Sequence, residues 1–337
     1  MFGDIHGDYK LTITLFTGAG LIQEIGTTPD TYEWIGGGTH VVQVGDQIDR
    51  CRPMDKPCSA KDATKEDENS DIKIIDFFND MSTQAKKHGG DVISLIGNHE
   101  MLNVSGDMTY VSYEGLKGFE DKKFKSGLEG RQHMFRPGNE IGKKLGCTRY
   151  ACVVIGSFLF VHGGIRDSML DSLKIHNVDD IVRINREMSL WLLGVLDPDY
   201  VDYLIKQTAV EGSIFWSRIL GNIPSNYSST DPKCAGIFDN VMSILKIGSI
   251  VIGHTPQPFV NNAGINGTCD NKIIRVDTGT SNVFDKYDKH YNTSSSWQKT
   301  TTRLPQFLEI VDDTDLFICI CKNNGKCNPA DRIKISK

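Results

Sequence analysis

The sequence lacks the features that mark membrane, secreted and nucleic-acid-binding proteins. It contains no run of eighteen apolar residues, so we expect no membrane-spanning helix and no membrane partner. No basic segment followed by an apolar one opens the chain, so we expect no secretory signal and a cytoplasmic location. Lys and Arg number 37 against 43 Asp and Glu, and the net charge of -6 argues against a nucleic-acid partner.

The cysteines also lack a recognisable framework. Nine are present, an odd number, and they are scattered, which suits a reducing compartment better than a disulfide scaffold. Cys319, Cys321 and Cys327 lie close together, but no further Cys or His at ligand spacing completes a zinc site. We therefore interpret them as ordinary core and surface cysteines.

The composition is that of a globular protein with a sizeable core. The chain has 337 residues, of which 39% are hydrophobic and 24% charged. We find no internal repeat and predict one domain over residues 1–321. Within it, 52–71 reads as a charged loop and 103–148 as a helical cap, while 322–337 reads as a polar C-terminal tail.

Five short apolar runs each end at a polar residue, most of them through a glycine, which is typical of buried strands. Helical periodicity occupies 9–21 and 71–88 between them. Alternating strands and helices predict an α/β fold with its site at the carboxyl ends of the strands. The predicted strands are 39–44, 91–96, 157–161, 248–252 and 272–276.

Potential metal ligands follow these strands. Carboxylates and imidazoles together suit Mn, Fe or Zn, and one carboxylate can bridge two such cations. Taken singly, each motif has a plainer interpretation as a turn or a buried core histidine. Taken together and in this order, they predict a metal site. The candidates are Asp4, His6, Asp46, Asp49, Asn98, His99, His162, His254 and Asp277.

The first motif has an unusual position. A loop such as Gly3-Asp4 usually follows a buried strand, yet only Met1 and Phe2 precede it. We expect either that a strand is absent from the given sequence or that it is two residues long. The sequence thus predicts weak support for Asp4 and His6.

The motif set resembles that of the phosphoprotein phosphatases, which belong to the calcineurin-like metallophosphoesterases. Further similarity points to their bacterial-type, Shewanella-like branch, and it spans about residues 1–285. The resemblance implies a central β-sandwich flanked by helices (αββα) with a helical cap insertion. The matching segments are Gly3–Gly7, Gly45–Arg50, Gly97–Asn103, His162–Gly164, Gly253-His254 and Val276–Gly279.

The resemblance implies that two divalent cations bind side by side. They would be Mn, Fe or Zn, and Asp46 would bridge them. The ligands implied for the first are Asp4, His6 and Asp46, and for the second Asp46, Asn98, His162 and His254.

The remaining roles are implied in the same way. His99 would protonate the leaving-group oxygen, with Asp49 orienting it. Arg50 and Asn98 would contact the substrate phosphate, and Arg218, after Phe215-Trp216-Ser217, would contribute a second arginine.

One residue departs from the family pattern. Cys51 stands where the family usually has glycine after the Asp-Arg pair, and we interpret it as a small tolerated residue.

The implied activity is hydrolysis of a phosphomonoester by direct in-line attack of an activated water, without a covalent phosphoenzyme. The expected substrates are phosphoserine, phosphothreonine or phosphotyrosine in proteins, or a small phosphoester. A nucleotide phosphoesterase, such as a diadenosine tetraphosphate hydrolase, is an alternative because it shares the motifs. A non-catalytic phosphate-binding module is an alternative of another class. The oligomeric state is left open.

Overall fold

The computed structural model describes residues 1–26, 29–205, 212–287, 303–322 and 326–335. Its strands, numbered in chain order, are β1 (Ile22–Glu24), β2 (Tyr32–Trp34), β3 (His40–Gln43), β4 (Asp91–Leu95), β5 (Arg149–Tyr150), β6 (Cys152–Ile155), β7 (Phe158–Val161), β8 (Ser249–Ile252), β9 (Asn266–Thr268), β10 (Ile273–Arg275), β11 (Gln306–Val311), β12 (Asp315–Lys322) and β13 (Lys326–Ile335). The five predicted strands are confirmed as β3, β4, β7, β8 and β10.

The helices are α1 (Tyr9–Gly18), α2 (Asp71–Lys86), α3 (Asn98–Val104), α4 (Tyr113–Lys117), α5 (Gly127–Phe135), α6 (Glu140–Thr148), α7 (Leu170–Leu173), α8 (Asp179–Leu192), α9 (Asp202–Ile205), α10 (Asp239–Leu245) and α11 (Gln257–Val260). Short 3-10 turns cover Asp167–Met169, Pro198–Val201 and Asn282–Phe284. The first two helices confirm the predicted periodicity. Within the described residues, no helix combines the length and apolar character needed to cross a membrane.

The first two residues act as a short central strand. Phe2 N–H donates to Val42 O at 3.0 Å, and Val44 N–H donates to Phe2 O at 3.2 Å, in parallel with β3. On the other side, Met1 exchanges hydrogen bonds with the Leu308 backbone in β11. Phe2 is 1% exposed. The segment before Asp4 is therefore held from both sides, and the expected lack of support does not occur.

Two layers of strands form the centre of the molecule. β3, β4 and β5 pair in parallel, while the second sheet has the order β6-β7-β8-β10-β9, with β7, β8 and β10 parallel and the edge strands antiparallel. A buried apolar cluster from both layers, including Val42, Leu95, Phe160 and Val251, fills the space between them. Because the two parallel sets end at the same side, their loops meet there.

Helices cover both outer faces. α1 and α2 bury Phe16 and Phe78 against β3 and β4. α8 and α10 bury Ile184 and Val241 against the face of β7 and β8. The predicted αββα sandwich is confirmed.

One segment differs from the sequence prediction and another agrees with it. Residues 326–335, predicted as part of a polar tail, form β13, which pairs antiparallel with β12 in a sheet of order β11-β12-β13. β13 lies at the edge of its sheet, where charged and polar side chains are common. Its polar composition therefore does not distinguish it from a C-terminal tail. In 103–148, helices α4, α5 and α6 occupy the predicted cap.

The cysteines also differ from the prediction. Six of the nine are paired, as Cys51–Cys58, Cys234–Cys269 and Cys321–Cys327. Cys147, Cys152 and Cys319 are free. Cys51 is thus a disulfide partner and not merely a small substitute for glycine. Scattered cysteines gave no sign of pairing because the partners are brought together only by the fold.

Candidate metal centre and active site

Asp46 lies at the centre of the site, where the loops after the parallel strands converge. The loop after Phe2 is hydrogen-bonded to it through the backbone: Ile5 and His6 N–H both donate to Asp46 O at 2.9 Å. His6, Asp46 and His254 adopt left-handed backbone conformations, with φ of 49°, 53° and 66°. Such conformations in non-glycine residues cost free energy and concentrate at functional sites.

The Asp46 carboxylate is surrounded by imidazoles. Its Oδ2 lies 3.8 Å from His6 Nε2 and 3.3 Å from His162 Nε2. Two groups of potential ligands, His6 with Asp46 and His99, and Asp46 with His162 and His254, share this one residue. Asp4 Oδ2 lies 3.9 Å from His6 Nε2, so it borders the first group. One carboxylate common to two donor sets is an arrangement that can hold a pair of cations.

The histidine tautomers favour metal ligation. His162 Nδ1 lies 2.8 Å from Val44 O, and because a carbonyl only accepts, Nδ1 donates; in the neutral ring the lone pair then lies on Nε2. Asn98 Oδ1 lies 3.0 Å from that Nε2. His254 donates through Nε2 to Trp216 O at 3.0 Å, and its buried Nδ1 has no partner among the described residues. These converging lone pairs fit a divalent cation.

The ionisable groups of the site shift one another's pKa values. Burial alone would raise the pKa of Asp46, but the His162 and His99 imidazoles outweigh it and hold that pKa well below its usual range. Burial, followed by the neighbouring Asp277 and Asp46 carboxylates, raises the pKa of Asp4. Burial also raises the pKa of Asp277 to about 6. A cluster of buried carboxylates repels itself, and bound cations relieve that repulsion.

His99 and Asp49 form a hydrogen-bonded pair beside the other potential ligands. His99 Nδ1 donates to Asp49 Oδ2 at 2.8 Å, and His99 N–H donates to Asp46 Oδ1 at 2.9 Å. The other Asp49 oxygen accepts from Asn103 Nδ2 at 2.9 Å. His99 is therefore fixed through Nδ1, and it lines the cavity of the site.

Glu100 is a positioning residue that motif reasoning did not single out. Its Oε2 accepts from Asp46 N–H at 2.9 Å and Gly97 N–H at 2.7 Å, and its Oε1 accepts from Gln47 N–H at 2.8 Å. It is fully buried. The only sequence signal was its place in the Gly97–Glu100 motif, which does not reveal that it ties the loops after β3 and β4 together.

The arginines near the site have different surroundings. Arg218 lines the site cavity of about 310 Å³ and donates through Nη1 to His254 O. Arg50 does not line that cavity, because its guanidinium is bonded elsewhere, to Gly7 O and Glu66 O. Arg52, which was not a candidate, lies in the cavity wall with Tyr110.

Comparison with known proteins shows which family the chain belongs to. The family model described as calcineurin-like phosphoesterase matches residues 1–258. An uncharacterised protein of Acanthamoeba polyphaga mimivirus is 38% identical over 265 residues, which cover 74% of this chain and 99% of that protein. Shewanella-like protein phosphatase 2 of Arabidopsis thaliana is 28% identical, covering 83% of this chain and 70% of its own.

A third relative and a solved structure are also similar to this chain. Shewanella-like protein phosphatase 1 of Plasmodium berghei is 27% identical over 86% of this chain and 68% of its own. The solved structure of a cold-active protein tyrosine phosphatase superposes with a TM-score of 0.62 over 97% of this chain and 79% of that chain, at 19% identity, which supports the fold alone. With the family model matching most of its length, the chain belongs to the calcineurin-like phosphoesterases, and its similarity to their Shewanella-like branch is confirmed.

Proposed function

We propose that this protein is a metal-dependent phosphomonoesterase acting on phosphoserine, phosphothreonine or phosphotyrosine in proteins. The observation that carries the proposal is the single Asp46 carboxylate shared by two donor sets, with the hydrogen-bonded His99–Asp49 pair beside it. Two of the relatives are named Shewanella-like protein phosphatases, and these names support a protein substrate.

The proposed metal ligands are those named from the sequence. Asp4, His6 and Asp46 would hold one cation, and Asp46, Asn98, His162 and His254 the other. Mn, Fe or Zn would suit this mixed oxygen and nitrogen set. Cations bound there would supply Lewis acidity and promote ionisation of a water molecule near neutral pH.

The chain's own residues would then orient the substrate and move one proton. Arg218 and Asn98 would contact the phosphoryl oxygens. His99, held by Asp49 at 2.8 Å, would give the proton on Nε2 to the leaving-group oxygen. A phosphate-binding module without activity has no need of this oriented acid, which favours an enzyme.

A product assay tests the proposal. The Mn-loaded protein would be incubated separately with a phosphoserine peptide, a phosphotyrosine peptide and diadenosine tetraphosphate. Release of inorganic phosphate from a peptide is expected. Cleavage of the dinucleotide alone would identify the nucleotide phosphoesterase instead, and no turnover of these substrates or of p-nitrophenyl phosphate between pH 5 and 9 would identify the inactive module.

A further inference from the structure

Asp49, the partner of His99, belongs to a closed ring of hydrogen bonds and ion pairs among buried side chains. The ring runs from Asp49 through Asn103 and Arg131 to Asp71, and from there back to Asp49. Asp49, Asn103 and Arg131 have no exposed surface. A buried polar atom that loses its partner is costly, so each contact of the ring restrains the next.

Asn103 lies in α3, one helical turn after His99, and both ends of its amide are bonded. Its Nδ2 donates to Asp49 Oδ1 at 2.9 Å and to the backbone O of His99 at 2.9 Å. Its Oδ1 accepts from Arg131 Nε at 2.8 Å. Because a guanidinium only donates, the atom that faces Arg131 must be the amide oxygen. The Asn103 amide therefore has one possible orientation, with its N–H groups toward Asp49 and His99.

Arg131 and Asp71 complete the ring on the other side of Asp49. Arg131 Nη2 donates to Asp71 Oδ2 at 2.7 Å, and Asp71 Oδ1 accepts from Asp49 N–H at 3.2 Å. Asp49 is thus held at its backbone by Asp71 and at Oδ1 by Asn103. Its other oxygen, Oδ2, accepts from His99 Nδ1 at 2.8 Å. The ring therefore assigns one carboxylate oxygen to Asn103 and the other to His99.

The hydrogen bond from Asn103 decides how the Asp49 carboxylate is turned. The last side-chain torsion of an aspartate has a broad energy minimum, so the carboxylate turns easily unless a partner holds it. With Oδ1 held by Asn103, Oδ2 has a fixed place, and the His99 ring follows it through Nδ1. The direction of His99 Nε2 is thereby set by a residue that does not line the site cavity.

We propose that Asn103 is a positioning residue of the reaction, which orients His99 toward the leaving-group oxygen by fixing the Asp49 carboxylate. The inference rests on the proposed function, in which His99 is the general acid. When the P–O bond breaks, its electron pair goes to the leaving oxygen, which then takes the proton from His99 Nε2. A misdirected ring delivers that proton poorly. Loss of Asn103 should therefore slow only reactions whose leaving group needs the proton.

The leaving group separates this role from a general loss of structure. Phenolate departs with a proton, whereas 2,4-dinitrophenolate is stable without one. At matched metal content, Asn103→Ala should lower turnover of phenyl phosphate by about 10- to 100-fold and that of 2,4-dinitrophenyl phosphate by less than about threefold. Asn226→Ala, which removes an exposed amide, should keep both rates within about twofold of wild type. Equal losses with the two esters, or no loss with either, would overturn the proposal.

Proton NMR of the Zn-loaded protein tests the orientation without turnover. The His99 Nδ1 proton, identified by its loss in His99→Asn, should exchange slowly with water in wild type. Loss of one hydrogen bond to a charged group should speed that exchange about tenfold in Asn103→Ala.

Asn103→Leu has nearly the same size and lacks the donor, so it should behave like Asn103→Ala and replaces it if the alanine variant does not fold. If wild type hydrolyses neither ester, the proposed function fails, and the exchange rates alone decide whether Asn103 fixes the His99–Asp49 pair. A wild-type proton that exchanges freely, or an exchange rate that the Asn103 variants leave unchanged, would overturn the proposal in either case.

Discussion

His99 is held at one ring nitrogen by Asp49, and this single hydrogen bond of 2.8 Å defines its expected behaviour. We predict that His99→Asn retains the bound metal and lowers turnover of p-nitrophenyl phosphate by about 10²–10⁴-fold, because a general acid is lost and no proposed ligand is. Steady-state kinetics at matched metal content would measure this.

His88→Asn is the matched control, since His88 is exposed in the turn after α2 and belongs to none of the motif loops. It should keep the wild-type rate. An unchanged rate for His99→Asn would remove His99 from the proposed mechanism.

The convergence of motif side chains was predictable wherever a motif residue directly follows a strand. Asp46, Asn98, His162 and His254 meet because parallel strands carry them to one edge. The sequence does not reveal that the side chains of Arg50 and Arg52 have different surroundings. Their contacts depend on Asp8, Glu68 and the Cys51–Cys58 disulfide, which come together only in the folded loop.

At the scale of elements, helix α5 contacts the Asp49 side chain of the His99–Asp49 pair through Arg131. Arg131 in α5 is fully buried, and its Nη2 lies 2.7 Å from Asp71 Oδ2 and 3.5 Å from Asp49 Oδ1. Its Nε donates to Asn103 Oδ1 at 2.8 Å. The predicted cap segment therefore contributes a buried cation to the proposed catalytic pair of His99 and Asp49, which periodicity alone could not indicate.

We predict that Arg131→Met destabilises the fold by about 3–5 kcal/mol, because two buried carboxylates lose their cation. Urea unfolding monitored by fluorescence would measure the change. Arg136→Met makes the same substitution at an exposed position one residue beyond α5 and should stay within about 0.5 kcal/mol of wild type. Equal stability of both variants would show that the network contributes nothing to folding.

At the scale of the whole molecule, the alternating strand and helix periodicities predicted the α/β class, whereas the αββα sandwich was implied by the resemblance of the motifs to the phosphoprotein phosphatases. The edge strand β13 and the disulfides could not be predicted from the sequence. Both depend on pairing between segments whose composition does not indicate a partner. The disulfides count against the expected reducing compartment, because disulfides persist mainly in oxidising ones.

A thiol count tests this covalent arrangement. Denatured protein without reductant should titrate about three thiols per chain, from Cys147, Cys152 and Cys319. After reduction the count should rise to the nine of the sequence. A count of nine before reduction would contradict the disulfides.

The metal content of the purified protein tests the central claim, that two donor sets share Asp46, most directly. Elemental analysis of wild type after Mn loading and desalting should give about two cations per chain, and His99→Asn should match it. Asp46→Asn should retain fewer than one, because the shared carboxylate serves both sets. Retention of two cations by Asp46→Asn would contradict the account.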